Sequence, residues 1–222
     1  MKSSLEIPKN WTFRSRAVAK HFDQHVREQL PWYDLATNAV AHFGRHYIPT
    51  AGRVYDIGCS TGNIGNALRE TLVQRNATFA AIEQSEDMAA LYQGPPQLVV
   101  ADAVSHPFEP FDFAVSFLTF MFLPVDQRAS FLLKLMSLTK PGGALIIVDK
   151  VQMPPGYIGT AFSRFTLQQK LAAGAKPEAI LQKELSLAGY QRPLNVRMLP
   201  KSARPFFQVG EFVGWIIESP EA

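Results

Sequence analysis

Residues 54–63 read Val-Tyr-Asp-Ile-Gly-Cys-Ser-Thr-Gly-Asn. A short apolar strand runs into a loop bracketed by Gly58 and Gly62, and the loop leads into a helical pattern. Few features restrict a fold more. Glycine lets the backbone approach a ligand closely, and the first turn of the following helix offers unpaired N–H donors. Asp56 ends the strand. The spacing Asp-x-Gly-x-Ser-x-Gly differs from the dinucleotide fingerprint Gly-x-Gly-x-x-Gly. It is therefore not read as a pyrophosphate cradle.

The rest of the chain repeats the strand–helix theme. Apolar runs at 53–58, 77–83, 97–102, 111–117 and 144–150 read as strands. Helical patterns at 63–73, 86–93 and 126–139 separate them, and Lys140-Pro141-Gly142-Gly143 reads as a turn. Near-continuous apolar strands between helices imply a parallel sheet covered on both faces. Before the first strand, Val18, Phe22 and Val26 repeat every fourth residue in a helix expected over 11–30, which Pro31 ends. Leu35, Val40 and Phe43 mark a second helix over 33–47. After residue 150 two helices are expected, within 157–174 and over 176–187, with Ala188-Gly189-Tyr190 as a cap. Strands near 195–199 and 206–217 should then pair as a hairpin, having no helical pattern between them. The expected organisation is a helical arm or lid over 1–50, whose first ten residues are a loose polar segment, and an α/β ligand-binding domain over 51–222.

Three acids fall at successive strand ends. Asp56 is the first. Glu83, followed by Gln84, ends the second strand, where a carboxylate can accept both hydroxyls of a ribose. Asp102 ends the third, placed to accept from an adenine amino group while the Ala103 amide donates to the ring. Open α/β sheets bind ligands at the carboxyl ends of their strands.

With these residues the loop resembles motif I of S-adenosylmethionine-dependent methyltransferases, Ser60 standing where a glycine often sits. The class I fold of that family is a Rossmann-like, mostly parallel sheet closed by an antiparallel C-terminal hairpin. The resemblance implies S-adenosylmethionine as cofactor and a methyltransferase acting on an unidentified acceptor. The segments VAKHFDQHVREQLPWYD (18–34), VYDIGCS (54–60), FLTFMFLP (117–124), PGGALIIVDK (141–150), LSLAGY (185–190) and FFQVGEF (206–212) are similar to the carboxy-S-adenosylmethionine synthase family. That similarity implies an alternative activity, in which S-adenosylmethionine reacts with prephenate-derived CO₂ for wobble-uridine modification of transfer RNA. It places Tyr33, Gly58, Cys59, Ser60, Glu83, Asp102 and Phe117 on cofactor-contacting positions. The family has an asparagine near Phe117, and near Glu184 an arginine that holds the extra carboxylate. An acid at 184 would repel a carboxylated ligand, so poor carboxylation is expected. A third reading is a pseudoenzyme that keeps the cofactor site to regulate or inhibit a partner.

No Asn/Asp-Pro-Pro-Tyr motif follows the fourth strand, which speaks against amino-methylation of DNA. Cys59, the one cysteine, sits in the cofactor loop. It has no disulfide partner within the chain and is misplaced for nucleophilic attack on cytosine. Methyl transfer needs alignment and, where required, a base. No base stands out. His21 and His25 share a helix face, as do His42 and His46, but no third metal ligand accompanies them and no metal is expected. Arg164, Arg192, Arg197 and Arg204 read as solvated cations, and Phe117, Phe120 and Phe122 as core.

The net charge of +3 permits an anionic partner without demanding one. The acceptor is therefore left open between a small molecule and a tRNA-related one, and a homodimer is possible. No apolar run reaches the roughly 20 residues needed to span a bilayer, and the opening residues lack a secretion-type apolar core. A cytoplasmic location is expected.

Overall fold

A computed structural model describes residues 6–220 of the chain. The first five residues of the expected polar arm lie outside the described residues. The elements run α1 (Arg16–Gln29), α2 (Tyr33–Tyr47), β1 (Arg53–Ile57), α3 (Asn63–Gln74), β2 (Thr78–Glu83), α4 (Glu86–Ala89), β3 (Leu98–Val100) and β4 (Phe111–Phe117). They continue as α5 (Val125–Leu138), β5 (Thr139–Lys150), α6 (Tyr157–Ala172), α7 (Pro177–Ser186), β6 (Arg204–Val209) and β7 (Phe212–Glu218). The seven strands form one sheet in the order β3-β2-β1-β4-β5-β7-β6. The first five are parallel, and β7 runs antiparallel between β5 and β6.

Each face of the sheet has its own core. Val54, Phe113, Val115, Ile146 and Val148 point to one face, where α2 and α3 add Val40, Ile64 and Leu68. Tyr55, Ile57, Ala114, Leu145 and Ile147 point to the other, where α5 adds Phe131, Leu132 and Leu135. Consecutive strand residues alternate between the two cores, so the strands are apolar throughout. Helix α2 shares the first core with the sheet, anchored by Ala36, Val40 and Ile48.

Four expected boundaries are corrected. Helix α1 begins at Arg16, because the Ser15 side chain accepts from Val18 N and caps it there. Residues 11–15 are instead irregular, held to the end of α7 by Trp11 N donating to Ser186 O at 2.9 Å and to the start of α4 by Ser85 Oγ donating to Phe13 O at 2.7 Å. Helix α4 stops at Ala89, four residues before the expected Gln93. Lys140–Gly143 lie inside β5, where the pairing jumps from Phe111↔Thr139 to Phe113↔Ala144. The turn-forming residues are absorbed as a bulge, pinned by Lys140 Nζ on Asp112 at 2.8 Å. Residues 196–198 form a single 3-10 turn, and the hairpin lies wholly within 204–218, reversing at Gly210-Glu211.

Among the described residues, no helix is long and apolar enough to cross a membrane.

Candidate active site

A cleft runs along the carboxyl ends of the parallel strands. Its shallow part is walled by Glu83, Gln84, Asp102, Ala103, Ile82 and Thr119. Its deep part encloses about 910 Å³ including its open mouth, and its wall includes Tyr33, Asp56, Cys59, Asn63, Phe117 and Lys183. Phe13, Gly58, Ser60, Leu118 and Phe122 border both parts, so the two adjoin across these residues.

The glycine loop builds the floor. Gly58 has φ 75°, and a β-carbon there would lie 2.4 Å from Thr119 Oγ1. Ser60 occupies the left-handed region at φ 49°, the conformation that favours glycine at this place in related loops. Leu118 also has positive φ, 58°. A bulky residue held this way at the edge of both cavity parts is backbone strain stored at a site.

Glu83 is buried, 6% exposed. Its Oε2 accepts from Ser60 N and its Oε1 from Ser85 N, both at 2.8 Å. Each oxygen keeps a second lone pair for a ligand hydroxyl. Burial pushes the carboxyl up, and the Ser85, Ser60 and Gln84 amides oppose the shift. Asp56 is 1% exposed and its Oδ2 has no partner. Burial, opposed by the Gly65 amide and reinforced by Glu83, pushes its carboxyl up to about 7. Asp102 is exposed and accepts from Val104 N at 2.9 Å. Burial holds the Cys59 thiol well above its ordinary value, so it supplies no thiolate at neutral pH.

Ten of the eleven sequence-predicted site residues line the cleft: Tyr33, Asp56, Gly58, Cys59, Ser60, Glu83, Gln84, Asp102, Ala103 and Phe117. Gly62 does not. It caps α3 at φ 96°, and a β-carbon there would lie 2.6 Å from Gly94 N. Its smallness serves the packing of the loop on residues 92–94. Gly62→Ala should therefore cost about 2–4 kcal/mol of stability through backbone strain and overpacking. The expected fall in melting temperature is roughly 5–15 °C, with the ligand affinity of the folded protein little changed. Calorimetric melting and titration of the variant read both quantities; an unaltered melt refutes the packing role.

Several wall residues carried no local signal. Trp11 and Phe13 roof the cleft from the irregular N-terminal segment, Phe13 meeting Phe122 edge-on at 5.0 Å. Asp23 on α1 accepts from Thr61 Oγ1 and Asn63 Nδ2, both at 2.7 Å, which ties that helix to the glycine loop. Tyr33 packs edge-on to Phe117 at 5.3 Å. Lys150, Lys170 and Lys183 all reach the deep part. They correct the expectation drawn from Glu184. Its carboxylate accepts from Lys170 Nζ at 2.8 Å and lies 3.9 Å from Lys150 Nζ. It is therefore paired with Lys170 and Lys150 and is not a bare acid facing the cleft. The histidine pairs divide: His25 is buried and stacks on Trp11 at 5.5 Å, while His21 bonds the Ala17 carbonyl. Among the described residues no cluster of His, Cys, Asp or Glu is arranged to hold a metal ion.

Residues 55–147 match the family model described as a methyltransferase domain. Solved structures share the fold. The plantazolicin methyltransferase BpumL in complex with S-adenosylhomocysteine superposes with a TM-score of 0.59 at 13% identity, covering 92% of this chain and 90% of that one. A putative S-adenosylmethionine-dependent methyltransferase from Methanococcus maripaludis gives 0.55 at 17% identity, covering 98% and 99%. Matched domain and fold point to one class: over residues 55–147 the chain is similar to methyltransferase domains, and its sheet has the class I, Rossmann-like fold of these solved structures. Within that class, the curated relatives are carboxy-S-adenosyl-L-methionine synthases. The one from Staphylococcus epidermidis is 28% identical, covering 94% of this chain and 97% of the relative. The one from Shewanella sediminis is 28% identical over 79% of this chain and 76% of the relative.

Proposed function

We propose that the cofactor lies along the cleft with its ribose hydroxyls on Glu83, its adenine against Asp102 and Ala103, and its methionine end over Gly58–Ser60 facing Asp56. The activated carbon is then passed to an acceptor held in the deep part. The observation that carries this reading is that the two cavity parts adjoin across Phe13, Gly58, Ser60, Leu118 and Phe122. A nucleoside on the shallow side thereby meets a separate chamber at its sulfonium end. The unpartnered Asp56 Oδ2 suits an ammonium group, which would satisfy it and hold it ionised. The acceptor we propose is a small molecule, because Trp11 and Phe13 roof the chamber. The same reading places the protein in the cytoplasm.

Titration calorimetry with S-adenosylmethionine and S-adenosylhomocysteine tests it. Both should bind one per chain, and saturating ligand at a hundredfold excess over Kd should stabilise the fold by about 2.7 kcal/mol. A folded protein that binds neither ligand defeats the proposal.

A second reading, the carboxy-S-adenosylmethionine synthase, is favoured by the name that curated relatives carry over 94% of this chain, and Lys150 and Lys170 are the cations that line the deep part. Incubation with S-adenosylmethionine and prephenate decides it. A product heavier than S-adenosylmethionine by about 44 mass units, one CO₂ carried on the cofactor, supports the synthase, and its absence leaves methyl transfer.

A further inference from the structure

The deep part of the cleft holds more polar groups than a cofactor end requires. Trp11 Nε1, His25 Nε2 and Gln29 Oε1 are buried on its wall without hydrogen-bond partners. An unmade buried hydrogen bond costs about 1–3 kcal/mol. The three atoms are closed off from the cleft itself and form a polar layer behind its wall. Helix α7 places Lys183 there, its Nζ over the Trp11 indole ring. Its neighbour Glu184 is already engaged by Lys170 and Lys150, and Glu211 lies 3.8 Å from Lys150. Among the described residues, no carboxylate forms an ion pair with Lys183.

We propose that Lys183 is the proton acceptor of the transfer reaction, taking the proton that an acceptor O–H or N–H loses as that atom becomes bonded to carbon. The proposal rests on S-adenosylmethionine occupying the cofactor half as described above. In the step, the acceptor lone pair forms the new bond to the methyl carbon. The carbon–sulfur bond breaks with its electron pair on sulfur, leaving the neutral thioether of S-adenosylhomocysteine. The acceptor proton passes to Lys183 Nζ. One positive charge thus disappears from sulfur and appears on nitrogen, so the chamber's net charge is conserved. The proton leaves to solvent after the products depart.

The surroundings keep this amine available. Burial first, and then the Lys170 charge, push Lys183 down to about 5, with Glu184 acting the other way. A neutral amine at pH 7 is the form that accepts a proton. The attraction of the Trp11 indole face for an ammonium acts in the opposite direction to burial. Of the other facing groups, His25 on α1 is held neutral by burial, pushed down to about 3. Lys150 on β5 and Glu211 in the β6–β7 turn are paired with each other. A bound sulfonium adds a second like charge. It favours the neutral amine before transfer and releases it to hold a proton afterwards.

Nuclear magnetic resonance of the whole chain carrying ¹³C-labelled lysine tests this. The Lys183 signal is identified by its loss in Lys183→Arg. Should that variant not fold, it is identified by its shift in Trp11→Phe, since the indole ring current acts on it. The titration runs from pH 3.5 to 10 with saturating S-adenosylmethionine, then with S-adenosylhomocysteine. The expected midpoint is below 7 with the first ligand and about one pH unit higher with the second, the effect of one nearby charge in a partly dry site. A midpoint above 9 with S-adenosylmethionine, or the same midpoint with both ligands, overturns the proposal. Failure of S-adenosylmethionine to bind, seen beforehand by calorimetry, overturns the cofactor reading and this proposal together. Tight binding with a high midpoint overturns this proposal alone.

Discussion

Glu83→Gln should weaken S-adenosylmethionine binding about 30- to 1000-fold, a loss of about 2–4 kcal/mol. The carboxylate joins two jobs. Its oxygens accept from Ser60 N and Ser85 N, which fixes the glycine loop against the end of β2. The remaining lone pairs face the shallow cavity, where the ribose hydroxyls are proposed to sit. An amide of the same shape offers one acceptor oxygen, so its NH₂ group must face either an amide donor or a ligand donor. Hydrogen bonds to a charged group are worth about 1.5–3 kcal/mol each, and the substitution removes at least one while leaving a donor facing a donor. Calorimetric Kd values for the two proteins measure the loss, and a circular dichroism melt shows whether the fold persists. An affinity within twofold of the parent, with the melt unchanged, would refute the ribose assignment.

Lys183→Met should stabilise the protein at pH 7, by on the order of 2–4 kcal/mol. Methionine keeps an unbranched stem against Trp11 and removes the group whose ionisation burial opposes. With its pKa lowered from 10.5 to about 5, the folded protein binds fewer protons at this site than the unfolded chain throughout that interval. Stability of the parent therefore rises with pH across it. The variant lacks this dependence, so its advantage is full below about 5, shrinks as pH rises and vanishes near 10.5. Asp56 and Asp149, both pushed up to about 7 by burial first, oppose the trend between their ordinary values and 7. They do so in both proteins and cancel in the difference. Urea unfolding at pH 6, 7.5 and 9 yields the three differences. Equal differences at pH 6 and 9, or a destabilised variant at pH 6, would show that Lys183 is charged in the fold. That outcome would also remove the base proposed for the reaction.

Where the signal was missed, it was usually present but outweighed by a larger pattern. Residues 206–217 read as one strand because Phe206, Phe207, Val209, Phe212 and Val213 form a nearly unbroken apolar run. The two-residue reversal at Gly210-Glu211, with Gly210 at φ 57°, splits it. The helical period of Val18, Phe22 and Val26 stops at Ser15, a capping residue three positions before Val18. Lys140-Pro141-Gly142-Gly143 has turn composition, yet the pull of β4 on one side and β7 on the other keeps it in the sheet as a bulge.

Five parallel strands, the glycine loop and three acids near successive strand ends, Asp56 inside β1, Glu83 ending β2 and Asp102 two residues past β3, are legible in the sequence. Each is encoded locally: a strand by its run of apolar residues, a loop by its glycines, a strand-end residue by its place after the run. The tertiary structure alone decided the deep chamber. Trp11, His25, Lys150, Lys170 and Lys183 come from the irregular N-terminal segment, α1, β5, α6 and α7, and no spacing in the sequence announces that they meet. The meaning of Glu184 changed for the same reason. Read alone it was an acid facing a carboxylate; in the fold it is 2.8 Å from Lys170, on a neighbouring helix. The sign of a site's field is a sum over groups brought together by chain crossings, and it exists only once those crossings are made.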